Sequence, residues 1–184
     1  MDSIHVTLPD GKAVDVRPGI RINELASEVG GQRDFIAAKV DGQLVDLSRI
    51  LDKDSTVEWV SPESPEGLDT LRHSTAHLMA QAVQSLFPGT QVTIGPTIEN
   101  GFYYDFKRDA PFSPEELQLI EKKMQELVKA NLPIVREEMA RSEAIELFRK
   151  MGEHYKVEII EGIADDKVSL YRQGDWLDLC RGPH

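Results

Sequence analysis

Residues 61–67, "SPESPEG", constrain the fold more than any other stretch of this chain. Two prolines, two serines and a glycine in so short a run cannot sit inside a central strand or a helix interior, because proline lacks the backbone N–H that either needs. The run reads as a linker. It divides the 184 residues into two candidate domains, 1–62 and 63–184.

The first part follows a period of two. "IHVTL" at 4–8 alternates apolar and polar and predicts a strand; "PDGK" is a turn, and "AVDVRP" pairs back as a second strand. "INELASEVG" predicts a short amphipathic helix stopped at Gly30-Gly31. "FIAAKVDGQLVDL" and "STVEWV" give three more short strands. Strand, strand, helix, then three strands in this space is a β-grasp, ubiquitin-like plan. It holds no paired carboxylates and no metal-spaced ligands, so it reads as a small binding or spacer domain.

Composition bounds the functions open to the whole. The net charge is −11, and both parts are acidic: 7 basic against 11 acidic residues in 1–62, and 14 against 21 in 63–184. Charge therefore does not divide their roles, and a broad basic footprint for DNA or RNA is excluded, though not contact with a short single-stranded end. No run reaches the roughly eighteen apolar residues of a membrane span. "MDSIHVTLPDGK" has no basic start followed by an apolar block, so no secretory signal is expected. The one cysteine, Cys180, cannot form an internal disulfide, which fits a reducing cytoplasm.

The second part is α+β. A long helix is predicted over about 67–87, ended by Pro88-Gly89. "QVTIGPTIENGFYYDF" gives two short strands around a Gly-Pro and an Asn-Gly turn. "SPEELQLIEKKMQELVKAN" is a helix capped by Ser113, with Pro114 first and Glu116 three after the cap. "PIVREEM" is a strand, "SEAIELFRKMG" a helix with Ser142 as cap, "EHYKVEIIEGI" a second short helix, and "VSLYRQGDWLDLC" a strand pair bent at Gly174.

The long helix carries the chemistry. At about 100° per residue, Leu68, Leu71, Thr75, Leu78, Met79, Ala82 and Leu86 form one apolar stripe, the expected core face. His73 and His77 lie roughly opposite it, beside Gln84. Either they face solvent on an amphipathic helix, or this second face lines a cleft and the imidazoles converge there. The last residues, "CRGPH", place Cys180 and His184 four apart as well, with Gly182-Pro183 forcing a turn between them. Three nitrogens and one sulfur would suit zinc, but the gaps are not those of the usual structural zinc sites.

"LRHSTAHLMAQAV", "IGPTIENGFYYDF" and "DLCRGPH" together resemble the editing domain of threonyl-tRNA synthetases, and "VTLPDGKAVDV" with "VDGQLVDLSRIL" resembles the TGS domain that precedes it. The resemblance covers essentially the whole chain, in the family's order. The paired HxxxH and CxxxH are shared with alanyl-type editing domains, and it is the TGS-like start and "GFYYDF" that favour the threonyl family. The resemblance implies an N-terminal piece, TGS domain 1–62 and editing domain 63–184, truncated before the editing domain's end. The family's aminoacylation core, with its ATP and threonine-selecting zinc, would lie outside the chain, as would the domains through which the parent enzyme dimerises.

It also implies a reaction: hydrolysis of serine wrongly esterified to the 3′ CCA end of threonine tRNA, with no membrane and no DNA partner. Serine lacks one methyl of threonine, worth only about 1–3 kcal/mol to a first pocket, so a second, hydrolytic site is needed. On this reading His73 is the lead base or water-orienting group, and His77, Cys180 and His184 complete its wall. Lys156 contacts an oxyanion or phosphate, or else is an ordinary surface lysine. Asp178, two before Cys180 on a strand, faces the same side and orients a histidine or holds the substrate amine. Tyr104 stacks on the terminal adenine or bonds the ribose, or else packs in the core, while Tyr103 points away. Metal-free hydrolysis is preferred to zinc held by His73, His77, Cys180 and His184. A non-enzymatic RNA- or protein-binding module and a trans-editing deacylase of the alanyl type are the alternatives.

Overall fold

The structure, a computed structural model, describes residues 3–30 and 34–184. The chain forms two compact units, Met1–Leu71 with Gly182–His184, and Arg72–Arg181.

The first unit holds β1 (Ile4–Thr7), β2 (Ala13–Val16), β3 (Ile20–Arg21), α1 (Ile22–Glu28), β4 (Ala37–Val40), β5 (Gln43–Val45), β6 (Ile50–Leu51) and β7 (Ser55–Val60). Five strands form one sheet in the order β2-β1-β7-β4-β5, in which only β1 and β7 run parallel. That is the expected β-grasp. The alternation in β1 buries Ile4 and Val6 against Ile22 and Leu25 of α1. The Asp41-Gly42 turn between β4 and β5 has both residues at positive φ, the conformation a two-residue hairpin loop needs. One pair was not anticipated: β3 and β6, two residues each, are joined antiparallel through Ile20 and Leu51. Strands this short carry no readable period. The helix ends at Glu28 with Gly30 at positive φ, while Gly31, the second half of the expected stop, lies outside the described residues.

A long helix, α2 (Pro65–Leu86), begins in the first unit and continues in the second. It starts two residues earlier than its sequence suggests, because Ser64 caps it: the Ser64 hydroxyl accepts from the Gly67 N–H, and Pro65 takes the first position.

The second unit continues with four two-residue strands, β8 (Gln91–Val92), β9 (Thr97–Ile98), β10 (Gly101–Phe102) and β11 (Phe106–Lys107). They form nested ladders, β9 with β10 inside β8 with β11, in place of the single strand pair expected there. Then come α3 (Pro114–Ala130), β12 (Ile134–Ala140), α4 (Arg141–Lys150), α5 (His154–Glu161), β13 (Lys167–Gln173) and β14 (Trp176–Leu179). The last three strands make an antiparallel sheet, β12-β13-β14. Ser113 caps α3 with Glu116 completing a capping box, as expected. Ser142 does not cap α4. The helix follows β12 directly, with Ala140 at its cap position, and the Arg141 N–H is taken by the Asp166 carbonyl.

Two cores serve this unit. Phe148, Val157 and Ile160 of α4 and α5 pack with Val168, Leu170 and Leu177 of the sheet. Ala82 and Val83 of α2 pack with Ile120 of α3, joined by Met79, Leu86 and Phe106. The expected stripe of α2 is thus only half used. Met79, Ala82 and Leu86 meet the α3 cluster, but Leu68 and Leu71 are exposed, and Ala76 and Ala80, off the stripe, are fully buried. Along Ala76–Val83 the helix is covered on more than one side, which a single-stripe pattern does not describe. No helix among the described residues is long and apolar enough to cross a membrane.

Candidate functional site

Within the second unit the face of α2 opposite the stripe meets the end of β14. His73 and His77 lie one turn apart with ring centroids 5.0 Å apart and their planes perpendicular. The His73 Nε2 is 3.2 Å from the Cys180 Sγ, and the side chains of His73, His77 and Cys180 each offer a ligand atom within 4.8 Å of the others. The solvent-facing alternative fails for His77, whose side chain is only 12% exposed.

β14 supplies the other wall. Alternation along the strand sends Trp176, Asp178 and then Cys180 to one side, while Leu177 and Leu179 join the core with α4 and α5. Asp178 is 1% exposed and accepts from three donors. Its Oδ1 receives the Lys156 ammonium at 2.7 Å and the Leu179 N–H at 2.8 Å, and its Oδ2 receives the Tyr104 hydroxyl at 2.9 Å. Lys156, on α5, is 3% exposed and is therefore not a surface lysine. Its buried neighbours Val157 and Ile160 fix α5 against the sheet and so fix the ammonium. Tyr104 stacks on Phe106 with centroids 5.0 Å apart, while Tyr103 is exposed. Burial, with Asp178 beside it, pushes the Tyr104 hydroxyl far above its usual range, so it remains a donor.

His77 stands 3.9 Å from Asp178 through Nε2, too loose for a hydrogen bond. Burial first, then the positive character of His73 and Lys156, pull the His77 pKa down to about 3. It is a neutral imidazole at pH 7, and no ion pair with Asp178 forms there. The consequence for stability has a definite sign. In the unfolded chain the imidazole takes up a proton near pH 6.5, whereas in the fold it does so only near 3, so this contribution is complete above pH 6.5 and is lost as pH falls toward 3. At 1.36 kcal/mol per pH unit the loss amounts to about 2 kcal/mol between pH 6.5 and 5. Urea denaturation across this window should show it, and His77→Gln should flatten the curve; an unchanged slope in that variant would refute the assignment.

Two neighbours of the cluster, Trp176 and Glu153, escaped the sequence reading, and Gln84 was read only as lying beside the histidines. Trp176 meets His77 edge-on at 5.5 Å; Gln84 accepts the Trp176 indole N–H at 2.8 Å; and Glu153, 6% exposed, accepts from the Gln84 amide. Burial raises the Glu153 pKa, offset in part by the bonds from Gln84 and the Val92 N–H. The alternation that placed Asp178 would have found Trp176 as well, but nothing local marks Glu153. Cys180 also borders a cavity of about 600 Å³, lined on its polar side by Arg136, Glu138, Lys167, Ser169 and Arg181. His184 belongs to the terminal segment grouped with the first unit, where its backbone N–H donates to Asp46 at 2.8 Å.

A β-grasp module joined to an α+β unit with a His, Cys, Lys and Asp cluster defines a class of protein, and sequence comparison agrees on the first part: residues 4–61 match the TGS domain. The whole chain is related to bacterial threonine–tRNA ligases. It is 55% identical to that of Citrifermentans bemidjiense and 56% identical to that of Geobacter sp. strain M21, each over 100% of this chain and 29% of the relative. It is 52% identical to that of Hahella chejuensis over 97% of this chain, again 29% of the relative. The chain thus spans about 29% of the length of the curated relatives it matches.

Proposed function

We propose that the 63–184 region is an editing domain that hydrolyses the ester of serine mischarged on threonine tRNA, as part of the protein synthesis carried out by threonine–tRNA ligases. The observation that carries this is the convergence of His73, His77, Cys180, Lys156, Asp178 and Tyr104 from four separate elements, in a chain related throughout its length to those ligases.

Ester hydrolysis needs a base or water-orienting group and stabilisation of the charge that develops on the carbonyl oxygen. His73, hydrogen-bonded to the Cys180 sulfur, orients the water. Neutral His77 shares that water without placing a second positive charge next to Lys156. Lys156, buried as it is, reaches no surface phosphate; its ammonium serves the oxyanion inside the pocket. Asp178 fixes that ammonium and accepts the substrate amine or the serine hydroxyl. Tyr104 acts through its hydroxyl, since its ring is already stacked on Phe106.

The donors His73, His77 and Cys180 also fit zinc, which when bound would polarise the ester carbonyl. We favour hydrolysis without it, because the buried Lys156 ammonium beside His77 already disfavours further positive charge there. Chelator treatment should leave deacylation intact; activity lost to chelator and restored by zinc would reverse this preference.

The deciding experiment follows release of label from seryl-, threonyl- and alanyl-tRNA. We expect serine-specific release, and His73→Ala should lower it by roughly 100-fold with the fold intact, in keeping with the usual share of a positioned acid–base group. Alanine release would favour the trans-editing alternative, and no release at all the binding-module alternative. The acidic chain should bind whole tRNA only weakly; nanomolar binding would contradict a domain that handles the CCA end alone.

A further inference from the structure

Gln84 sits on α2 seven residues after His77, which brings it back to nearly the same side of the helix. Its amide is fully engaged. The two N–H groups go to Glu153 Oε1 and to the Thr90 carbonyl, the latter at 3.0 Å, and the oxygen accepts the Trp176 indole N–H at 2.8 Å. Glu153 is anchored in turn, its Oε2 accepting the Val92 N–H at 3.3 Å. Trp176 then presents its ring to His77 at 88°, and His77 presents its own to His73 at 90°. A buried carboxylate and a half-buried amide are costly unless their polar atoms are matched, and an apolar wall would have packed here at less cost. Their matched chain instead gives the indole one position and one rotation.

We propose that Glu153, Gln84 and Trp176 form a positioning relay that fixes the imidazole of His77 in the editing cluster. None of the three is a catalytic residue: Glu153 and Gln84 act only through Trp176, and Trp176 acts only by holding the ring of His77. The relay explains why the polar face of α2 continues past the histidines to Gln84, and why β14 begins with an indole on the same side as Asp178 and Cys180. Its effect on rate rests on the editing reading above, whereas its effect on the His77 ring does not.

The test uses the 184-residue chain labelled at histidine and tryptophan side chains, observed by NMR at one fixed pH. Gln84→Met keeps the volume and removes the hydrogen bonds. It should shift the ring resonances of His77 and the indole N–H of Trp176 while leaving His5 and His154 in place. In seryl-tRNA deacylation it should lower kcat about tenfold or more with KM within about twofold, a cost expected of a misplaced group rather than of lost binding. Trp176→Phe is the second variant. It keeps an aromatic edge against His77 but cannot use Gln84, so adding Gln84→Met to it should cost nothing further. Unmoved His77 resonances in Gln84→Met, or equal costs of Gln84→Met with and without Trp176→Phe, would overturn the relay. If the unmodified chain releases no serine, the editing reading fails, and the resonances still decide the relay.

Discussion

Replacing Asp178 by alanine should cost about 3–5 kcal/mol of stability, the usual penalty for removing one partner of a buried ion pair. The Lys156 ammonium, 3% exposed, would lose its ion-pair partner, and the Tyr104 hydroxyl and Leu179 N–H would lose their acceptor in the same step. At about 2–4 °C per kcal/mol for a chain of this size, the melting temperature should fall by roughly 10 °C. Removing both charges tells the more informative story. A Lys156→Met, Asp178→Leu double variant fills similar volume without burying a charge, and it should recover most of the loss while abolishing ester hydrolysis. If Asp178→Ala melts within about 2 °C of the parent, the pair is not the buried, mutually dependent unit described here. If the double variant melts no higher than the single one, the cost belongs to packing rather than to charge.

This pair also shows where sequence reading stops. Two residues at fixed helical spacing, or two on alternating strand positions, can be placed on a common face from periodicity alone. Hence His73 with His77, and Asp178 with Cys180, were legible in advance, and so was the β-grasp order of the first sixty or so residues. Lys156 was named as a candidate, but its burial was not legible, because that depends on a carboxylate from β14 meeting a helix that comes before β13. Glu153 fails for the same reason, an ordinary polar residue until three elements come together, and so does the bond between Gln84 and Trp176, although periodicity alone sets Gln84 beside the histidines and Trp176 on the side of Asp178. The stripe on α2 misled in a second way. Periodicity marks the large apolar residues and so points to Leu68 and Leu71, whereas the fully buried positions there are the small Ala76 and Ala80. Ser142 had the residue type of a cap without the place of one, since the chain enters α4 straight from β12 with no turn for a cap to stabilise.

Gly95→Ala should be the most damaging single methyl that can be added to the "IGPTIENGFYYDF" segment. A β-carbon there would lie 2.2 Å from Cδ2, 2.6 Å from Cε2 and 2.8 Å from Cγ of Tyr104, distances that a rigid ring cannot absorb by changing rotamer tip. The ring must leave, and with it the stack on Phe106 and the hydroxyl bond to Asp178. Overpacking of this kind costs about 1–3 kcal/mol, and the lost bond to a charged acceptor about 1.5–3 more, so a total of about 4 kcal/mol is expected. Ester hydrolysis should fall further than stability implies, by about 100-fold, because Asp178 loses the group that holds its second oxygen and so its aim at both Lys156 and the substrate. A double-mutant cycle separates this from a general disturbance of the loop. In a Tyr104→Ala background the clash partner is gone, and Gly95→Ala should then cost less than about 0.5 kcal/mol and leave the residual rate unchanged. Additive costs in that cycle would mean that Gly95 serves the backbone of its own turn rather than the seat of Tyr104.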